Sequence, residues 1–449
     1  MFEYKCQFLI FGDKKFVRDD NTGELKQILQ DFSKSGRENP HAYNKRLTNY
    51  LSEVYKHFDL PEDDEELSNG RKVSDYRRIP FKLGLCSNYL EFANLKNKEK
   101  HISYIESCHC SLCPTCNFFR SRNNLRDFIM ILEDFFSKAD NCEFPFVFLT
   151  LTVPNCPGSE LRQTIKKINK AFNKFLGYDE IKNVLVGCSR SLEVTINEDT
   201  GDFHPHLHCL LIVKKDYFKW HKSFKDNIYL DKLHWLMYWQ RALGLHKFKA
   251  VRKNQYTEQD LWTARYKCFA KWRTWFGGFF SSGEPLNGVV LPSAPADLVT
   301  NIDIRRVLKW DKHRISDNAL RCIKLLGEVI KYPFKADDIL TGELAVDVPR
   351  VYWLDGALYH SRRWNLSGVL REIQKKLSLP TEEEEASDLV QISGIDINEI
   401  ESISAWWFSD SFGEYIKGKC KSIKQKNKAR RALGLPELSE DIFKQVKKE

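Results

Sequence analysis

Histidines alternate along an apolar run in Phe203-His204-Pro205-His206-Leu207-His208-Cys209-Leu210-Leu211-Ile212-Val213. Alternation by two places side chains on one face of a β-strand, so His206 and His208 point the same way. Two neighbouring imidazoles can hold one divalent metal. A single strand histidine is commonly only a hydrogen-bonded surface group, but two that alternate ahead of a Leu-Leu-Ile-Val run favour ligation. A carboxylate stands where such a metal needs it. In Leu192-Glu193-Val194-Thr195-Ile196, Glu193 and Thr195 share the face opposite Leu192, Val194 and Ile196. The intervening Asn197-Glu198-Asp199-Thr200-Gly201-Asp202 is dense in turn formers. A hairpin folded around residues 199–201 makes paired positions sum to about 400, which sets Glu193 opposite the 206–208 region. The expected site is therefore two histidines and one carboxylate, Glu193, His206 and His208, with positions open for water and substrate. Oxygen and imidazole ligands without thiolate suit Mg²⁺ or Mn²⁺. His204 shares the face, as a further ligand or, since Pro205 begins the strand there, as a flanking residue.

A second ligand set is sulfur. Cys108-His109-Cys110-Ser111-Leu112-Cys113-Pro114-Thr115-Cys116 holds four of the chain's 13 cysteines in nine residues. Cys86 precedes them. Cys113 and Cys116 have the spacing at which two thiolates reach one ion, and four thiolates at tetrahedral spacing select Zn²⁺ in a closed structural site. Cys86, Cys108, Cys113 and Cys116 are the expected set, with Cys110 or His109 able to replace one of them. A redox Cys-x-x-Cys is the rival, but no thioredoxin-like βαβ pattern surrounds it. Arg120, Arg122 and Arg126 follow directly, within reach of phosphates.

The third feature is Leu326-Gly327-Glu328-Val329-Ile330-Lys331-Tyr332-Pro333-Phe334-Lys335. Apolar spacing upstream is helical, so Glu328 and Tyr332, four apart, share a face. Pro333 moves Tyr332 out of helical geometry, to a helix end where its hydroxyl can reach outward. Lys331 and Lys335 flank it and suit a phosphate. Alone, Tyr332 reads as one of 17 packed tyrosines. Beside a metal site it acquires a role. A free tyrosine titrates at about 10 and is a poor nucleophile at neutral pH, so it needs a polarised phosphate to attack. The products would be a 5′-phosphotyrosyl enzyme and a free 3′-OH able to prime a polymerase. Glu328 is then placed to activate a water or a second 3′-OH.

Elements must carry these residues. Phe146-Val147-Phe148-Leu149-Thr150-Leu151-Thr152-Val153-Pro154-Asn155 reads as a buried strand ended by proline, with Thr150 and Thr152 turned toward the site. Asn124–Lys138 and Leu161–Leu176 read as amphipathic helices. Residues 1–60 mix the short strand Phe8–Phe11 with helical patterns such as Tyr50–Tyr55, and the charged residues 61–80 read as a linker. Residues 380–388 are an acidic linker, and the tail Ile392–Glu449 is expected to be helical. The division is 1–80 accessory region and linker, 81–125 zinc segment, 126–379 catalytic domain with an insertion at 214–310, and 380–449 linker and tail.

The chain has 449 residues and net charge +9, enough length for two or three domains. Lys214–Trp275 alone holds 15 Lys and Arg against 5 Asp and Glu, a net of +10, with 15 aromatic residues. Cations meet phosphate and rings stack on unpaired bases, so this block is expected to bind DNA, through Lys247, Lys249, Arg252 and Lys253 among others. The competing account makes its Trp and Tyr residues core and its Lys residues solvated. The N-terminus Met1-Phe2-Glu3-Tyr4-Lys5-Cys6 lacks a secretory signal, and no apolar run reaches the ~20 residues of a spanning helix. A cytoplasmic, reducing location is expected, with cysteines as ligands or free thiols.

The ordered set Phe-Leu-Thr-Leu-Thr-Val-Pro-Asn (148–155), Pro-His-Leu-His (205–208), and Glu-x3-Tyr within Lys-Tyr-Pro-x-Lys (328–335) resembles the single-tyrosine rolling-circle plasmid replication initiators, which are HUH endonucleases. The cysteine cluster resembles that family's N-terminal segment. Ala357-Leu358-Tyr359-His360-Ser361-Arg362-Arg363-Trp364 with Ser367-Gly368-Val369-Leu370-Arg371-Glu372 is similar to its C-terminal segment. The resemblance covers roughly residues 81–379. It implies that His206 and His208 are metal ligands, that Tyr332 is the nucleophile and that Glu328 helps to end a replication round. Glu193 as third ligand rests on the hairpin register. The implied fold is α+β, a central antiparallel sheet flanked by helices, with a zinc segment and helical accessory regions. The implied partners are origin DNA, including its single-stranded nick site, and a host helicase and polymerase. A transposase of the same chemistry, and a non-catalytic zinc DNA-binding regulator, are the alternatives. A relaxase, which usually has three clustered histidines, fits less well.

Overall fold

In the computed structural model of the chain, the described residues are 8–11, 14–18, 25–29, 39–97, 99–219, 228–230, 232–244, 302–307, 336–381, 389 and 399–438. They fall into two compact units. The first comprises Met1–Asn123, Ala336–Tyr359 and Glu384–Glu449, and the second Asn124–Lys335 and His360–Glu383. Both are α+β with wholly antiparallel sheets, as the resemblance implied. No helix among the described residues is long and apolar enough to cross a membrane.

The first unit opens with strands β1 (Phe8–Phe11), β2 (Lys14–Arg18) and β3 (Leu25–Gln27), a three-stranded sheet. Helix α1 (Pro40–Lys56) starts where Asn39 Oδ1 accepts from the His41 backbone N–H at 3.0 Å, with Pro40 in the first turn. Proline is tolerated there because that N–H has no helical partner anyway. Helix α2 (Val73–Leu85) corrects the linker reading of residues 61–80. Val73, Tyr76, Ile79 and Leu83 recur at helical spacing and are buried. The charges between them and the internal Pro80 concealed that stripe, and the Ser52 hydroxyl donates to the Pro80 carbonyl at 2.8 Å.

Strands β4 (Tyr89–Leu95) and β5 (Lys100–Ile105) form a hairpin, and helix α3 (Pro114–Ser137) begins in the first unit and ends in the second. The C-terminal segment departs from its expected helical form. Strands β11 (Ile400–Ser409) and β12 (Glu414–Gly418) extend the hairpin into a four-stranded sheet ordered β12-β11-β4-β5, with Trp406 opposite Leu90. Ile, Trp, Phe and Tyr dominate these strands, a composition that packs well on a pleated surface. Among the described residues of this segment, helix α10 (Ile423–Leu433) alone keeps the helical form. A buried Lys426–Glu91 ion pair (Nζ–Oε2 2.6 Å) and a Lys421–Glu106 pair tie this segment to the hairpin.

The second unit is built on strands β6 (Phe146–Thr152), β7 (Leu185–Ile196), β8 (Phe203–Val213), β9 (Ile302–Val307) and β10 (Trp364–Gly368), ordered β10-β7-β8-β6-β9. On one face, Phe146, Phe148, Leu210, Ile212, Trp364 and Leu366 are covered by Phe128, Ile131, Leu132 and Phe135 of α3 and by Leu370 and Ile373 of helix α9 (Val369–Lys376). Helix α4 (Gly158–Leu176) buries Leu161, Ile165, Ile168, Phe172 and Phe175. Helix α6 (Lys232–Ala242) packs against it, with the Trp235 and Trp239 rings 5.7 and 6.0 Å from Phe175. Tyr217, Trp235, Tyr238 and Trp239 are thus fully buried. These rings of the basic, aromatic block are core and cannot stack on bases, which corrects that part of the expectation.

Candidate functional site

Turn chemistry sets the register of the β7–β8 hairpin. Asn197 Oδ1 accepts from the backbone of Asp199 (3.0 Å) and Thr200 (3.3 Å), and the Asn197 N–H donates to the Asp202 carbonyl at 2.8 Å. Gly201 sits at φ 73°, the left-handed region that glycine enters without strain. Fixed this way, Glu193 pairs directly with His206, and Ser191 with His208. Across the other side of β8, Thr152 pairs with His206 and Thr150 with His208. All of these lie on one face, the face that also carries Phe146 and Phe148.

Pro205 occupies a central strand without disrupting it. The Phe203 N–H points toward β6 and donates to the Cys156 carbonyl at 2.9 Å. Two residues on, the Pro205 nitrogen points the same way, but the β6 ladder ends at Thr152 opposite His206. No ladder bond is lost, so proline fits.

The three expected ligands converge. His206 Nε2 lies 3.1 Å and His208 Nε2 2.7 Å from the same oxygen of Glu193, Oε2. Glu193 and His206 are buried and His208 is half-buried. Burial alone would push the Glu193 carboxyl up. Hydrogen bonds from His206 and His208, with their charge, outweigh it and hold the group well below the usual carboxylate range. Each imidazole has a second partner at Nδ1: the His204 carbonyl at 3.1 Å for His206, and Thr150 Oγ1 at 3.2 Å for His208. Such partners fix the tautomer that leaves Nε2 free to ligate. Two imidazoles and a carboxylate, their ligand atoms within 4.8 Å of one another, are a donor set that fits a divalent ion. His204 instead binds Asn155 Oδ1 at 2.8 Å, so it flanks the set. The expectation missed this Asn155 contact and the tautomer-fixing role of Thr150, although the parity of Thr150 on its strand pointed to the site.

The second donor set lies in the first unit. Cys86, Cys108, Cys113 and Cys116 are all buried and gathered together. Three Sγ–Sγ separations are 3.6 Å (86–113, 86–116 and 108–116). A tetrahedron with ~2.3 Å metal–sulfur arms has edges of ~3.8 Å, so the cluster is compatible with a zinc-binding segment. The Cys110 and Cys116 backbone N–H groups point at Cys108 Sγ and Cys113 Sγ, each at 3.5 Å. Cys110 and His109 stay outside the set, and His109 Nε2 meets Ser107 Oγ at 2.9 Å. Lys45, fully buried, donates to the Gly84 carbonyl at 3.1 Å beside the thiols. Burial pulls its pKa down, while negative charge on Cys86, Cys113 and Cys108 opposes that shift. Arg120, read above as a phosphate contact, is buried and spends its guanidinium on the carbonyls of His109 (3.1 Å) and Cys110 (3.3 Å) and on Asn117. It braces the cysteine loop. Arg126 pairs with Asp127 at 2.8 Å.

Tyr332, Glu328, Lys331 and Lys335 lie outside the described residues, as do Lys247, Lys249, Arg252 and Lys253.

Comparison with known proteins agrees with the residues. The family model described as "Replication protein" matches residues 99–266, which hold both the cysteine loop and Glu193, His206 and His208. A "Protein rep" of Bacillus amyloliquefaciens is 26% identical over 397 residues, 85% of this chain and 94% of that protein. One of Lactiplantibacillus plantarum is 32% identical over 214 residues, 46% of this chain and 64% of that protein. One of Staphylococcus aureus is 30% identical over 168 residues, 37% of this chain and 70% of that protein. No solved structure matches the chain. With the motifs in order, the candidate ligands Glu193, His206 and His208 on adjacent strands and relatives that align along most of its length, the chain belongs to the replication protein family of rolling-circle plasmid initiators.

Proposed function

We propose that this replication protein starts rolling-circle replication by nicking one strand of its plasmid origin through tyrosine transesterification, and later rejoins that strand. The observation that carries the reading is the convergence of His206 Nε2 and His208 Nε2 on one oxygen of Glu193. Glu193, His206 and His208 would hold Mg²⁺ or Mn²⁺. Such an ion, when bound, polarises the scissile phosphate and stabilises charge on the departing 3′-oxygen.

In this reading Tyr332 loses its phenolic proton and attacks phosphorus, forming a P–O bond to the tyrosine as the bond to the 3′-oxygen breaks. That oxygen takes up a proton and leaves as the 3′-OH primer. The number of phosphodiester bonds is unchanged, so the step runs in either direction. Glu328, four residues before Tyr332, takes the proton from the water or second 3′-OH that ends the round. Lys331 and Lys335 hold the phosphate. Thr150 and the His204 carbonyl keep the two imidazoles oriented. The buried thiolates Cys86, Cys108, Cys113 and Cys116 would hold Zn²⁺ in a structural role, since all four positions of a tetrahedron are then filled by protein. Origin DNA is the partner, with a host helicase and polymerase required downstream.

The test mixes the purified chain with supercoiled plasmid carrying its own replicon, with and without Mn²⁺ or Mg²⁺, beside Tyr332→Phe. Open-circle DNA with protein attached at a 5′ end, lost in Tyr332→Phe, is the expected result. Binding without cleavage under every metal condition overturns the reading and leaves a non-catalytic DNA-binding regulator.

A further inference from the structure

The C-terminal segment carries a charge pattern that neither metal site uses. Between residues 417 and 431 there are eight basic residues (Lys417, Lys419, Lys421, Lys424, Lys426, Lys428, Arg430, Arg431) and no acid. The fold divides them by task. Lys426 is buried against Glu91, Lys421 pairs with Glu106, and the Arg430 guanidinium is buried and donates to the Pro436 carbonyl. Arg431 pairs with Glu437 at 3.1 Å on the surface. Lys417, Lys419, Lys424 and Lys428 are exposed and make no ion pair among the described residues.

Two of these four run along and just after an edge strand, and two stand on the helix that follows it. Lys417 lies on the edge strand β12, and Lys419 follows it. Helix α10 is fixed at both ends, by a capping box between Ser422 and Gln425 and by Gly434 at φ 78°. Its inward residues are Lys426, Arg430 and Leu433. Lys424, Lys428 and Arg431 recur at i, i+4 and i+7 on the exposed side. At 1.5 Å per residue they span ~10 Å of helix, a length over which duplex DNA carries about six phosphate charges. Lys82 of α2 adds charge at the C-terminal end, its Nζ 3.8 Å from where a Cβ on Gly434 would stand.

What surrounds these lysines selects among polyanions. A single-strand platform needs free aromatic faces. Trp407 is edge-packed on Tyr89 at 4.8 Å and backed by Lys421 at 4.7 Å, and its Nε1 donates to the Lys419 carbonyl, which leaves Phe81 of α2, exposed next to Lys82, as a lone ring where successive bases need several. A lipid surface needs apolar anchors between the cations, whereas Gln425 is what lies exposed between Lys424 and Lys428 on α10. We propose that Lys417, Lys419, Lys424 and Lys428 grip the phosphate backbone of duplex DNA, in the unit that does not hold Glu193, His206 and His208. The proposal rests on the reading of this chain as an initiator that acts at an origin. It separates holding the duplex from cutting the strand.

The test compares the full chain with Lys417→Gln/Lys419→Gln/Lys424→Gln/Lys428→Gln, and with the milder Lys424→Gln/Lys428→Gln, at matched melting temperature and bound zinc. Binding of a short random-sequence duplex is measured against salt concentration, and Mn²⁺-dependent cleavage is measured on a single-stranded oligonucleotide carrying the mapped nick site. Each lost phosphate contact lowers the salt slope by ~0.9, so the slope should fall by about 3 to 4 in the fourfold variant and by about 2 in the double. Duplex affinity at physiological salt should fall at least about tenfold, with oligonucleotide cleavage unchanged. An unchanged slope overturns the proposal. Loss of binding to phosphatidylserine vesicles or to an acidic protein, with the DNA slope intact, also overturns it. If the unaltered chain cleaves no oligonucleotide while the slope still falls, the nicking reading fails and the grip stands.

Discussion

Thr150→Val tests how the sheet would tune His208 as a metal ligand. Thr150 stands opposite His208, with Oγ1 3.2 Å from Nδ1, while His208 Nε2 faces Glu193. A metal that takes the Nε2 lone pair leaves the ring proton on Nδ1, and Thr150 Oγ1 is the acceptor for that proton. Valine has the same branching and the same fitness for a strand, so the substitution removes the acceptor and little else. Loss of such a partner typically costs 10–100-fold in metal affinity, or about 1.4–2.7 kcal/mol. Thr150 is half-buried, so water can partly replace the hydroxyl, and a neutral hydrogen bond contributes only ~0.5–1.5 kcal/mol net. The lower end follows, about a tenfold weaker Kd for Mn²⁺. Titration of the full chain with Mn²⁺, read by the paramagnetic resonance of the free ion, measures it directly. Thr150→Ser keeps the acceptor and should bind nearly as the natural chain does. Wild-type affinity in Thr150→Val, at unchanged melting temperature, would refute the tautomer reasoning. Equal weakening in Val and Ser would refute it too, because packing rather than the hydroxyl would then be responsible.

Glu193→Gln keeps the shape but removes the charge shared by both imidazoles; Mn²⁺ binding should weaken by more than the ~100-fold limit of an outer partner, and supercoiled plasmid should stay closed. Retained nicking would take Glu193 out of the site. Lys426→Met strands Glu91, which is 1% exposed, and should cost ~3–5 kcal/mol. Lys426→Met/Glu91→Leu should recover most of that loss, and thermal melting followed by circular dichroism checks both. Cys108→Ser should abolish stoichiometric zinc while Cys110→Ser retains it, as counted by metal release to a chromogenic chelator; the reverse pattern would move Cys110 into the ligand set. Acid should release the same metal, since thiolates must be deprotonated to bind it.

Both clusters of possible metal ligands were legible in the sequence because each is specified locally. Period two puts His206, His208 and Glu193 on one face, and the Asn197–Asp202 turn fixes which residue meets which. Three of the four thiols lie in one nine-residue loop, whose Cys-x2-Cys can wrap an ion in any fold. Cys86, more distant, was found by the demand for a fourth thiolate.

The remainder was decided by partners far along the chain. Ile400–Ser409 becomes a strand because β4, some 300 residues earlier, offers it an edge. Its Ile, Trp and Phe content hinted at this, but the basic sequence after it reads as helix and drew the whole tail with it. Arg120 looks from its neighbours like a phosphate contact, and only the folded cysteine loop turns two carbonyls toward it. Trp235 and Trp239 belong to a block of net charge +10, yet α4 supplies the Phe175 surface that buries them. Alternation and turn residues act within a dozen positions and can be read directly. Whether an amphipathic residue meets core or solvent depends on which distant surface arrives, and the tertiary structure alone determines that.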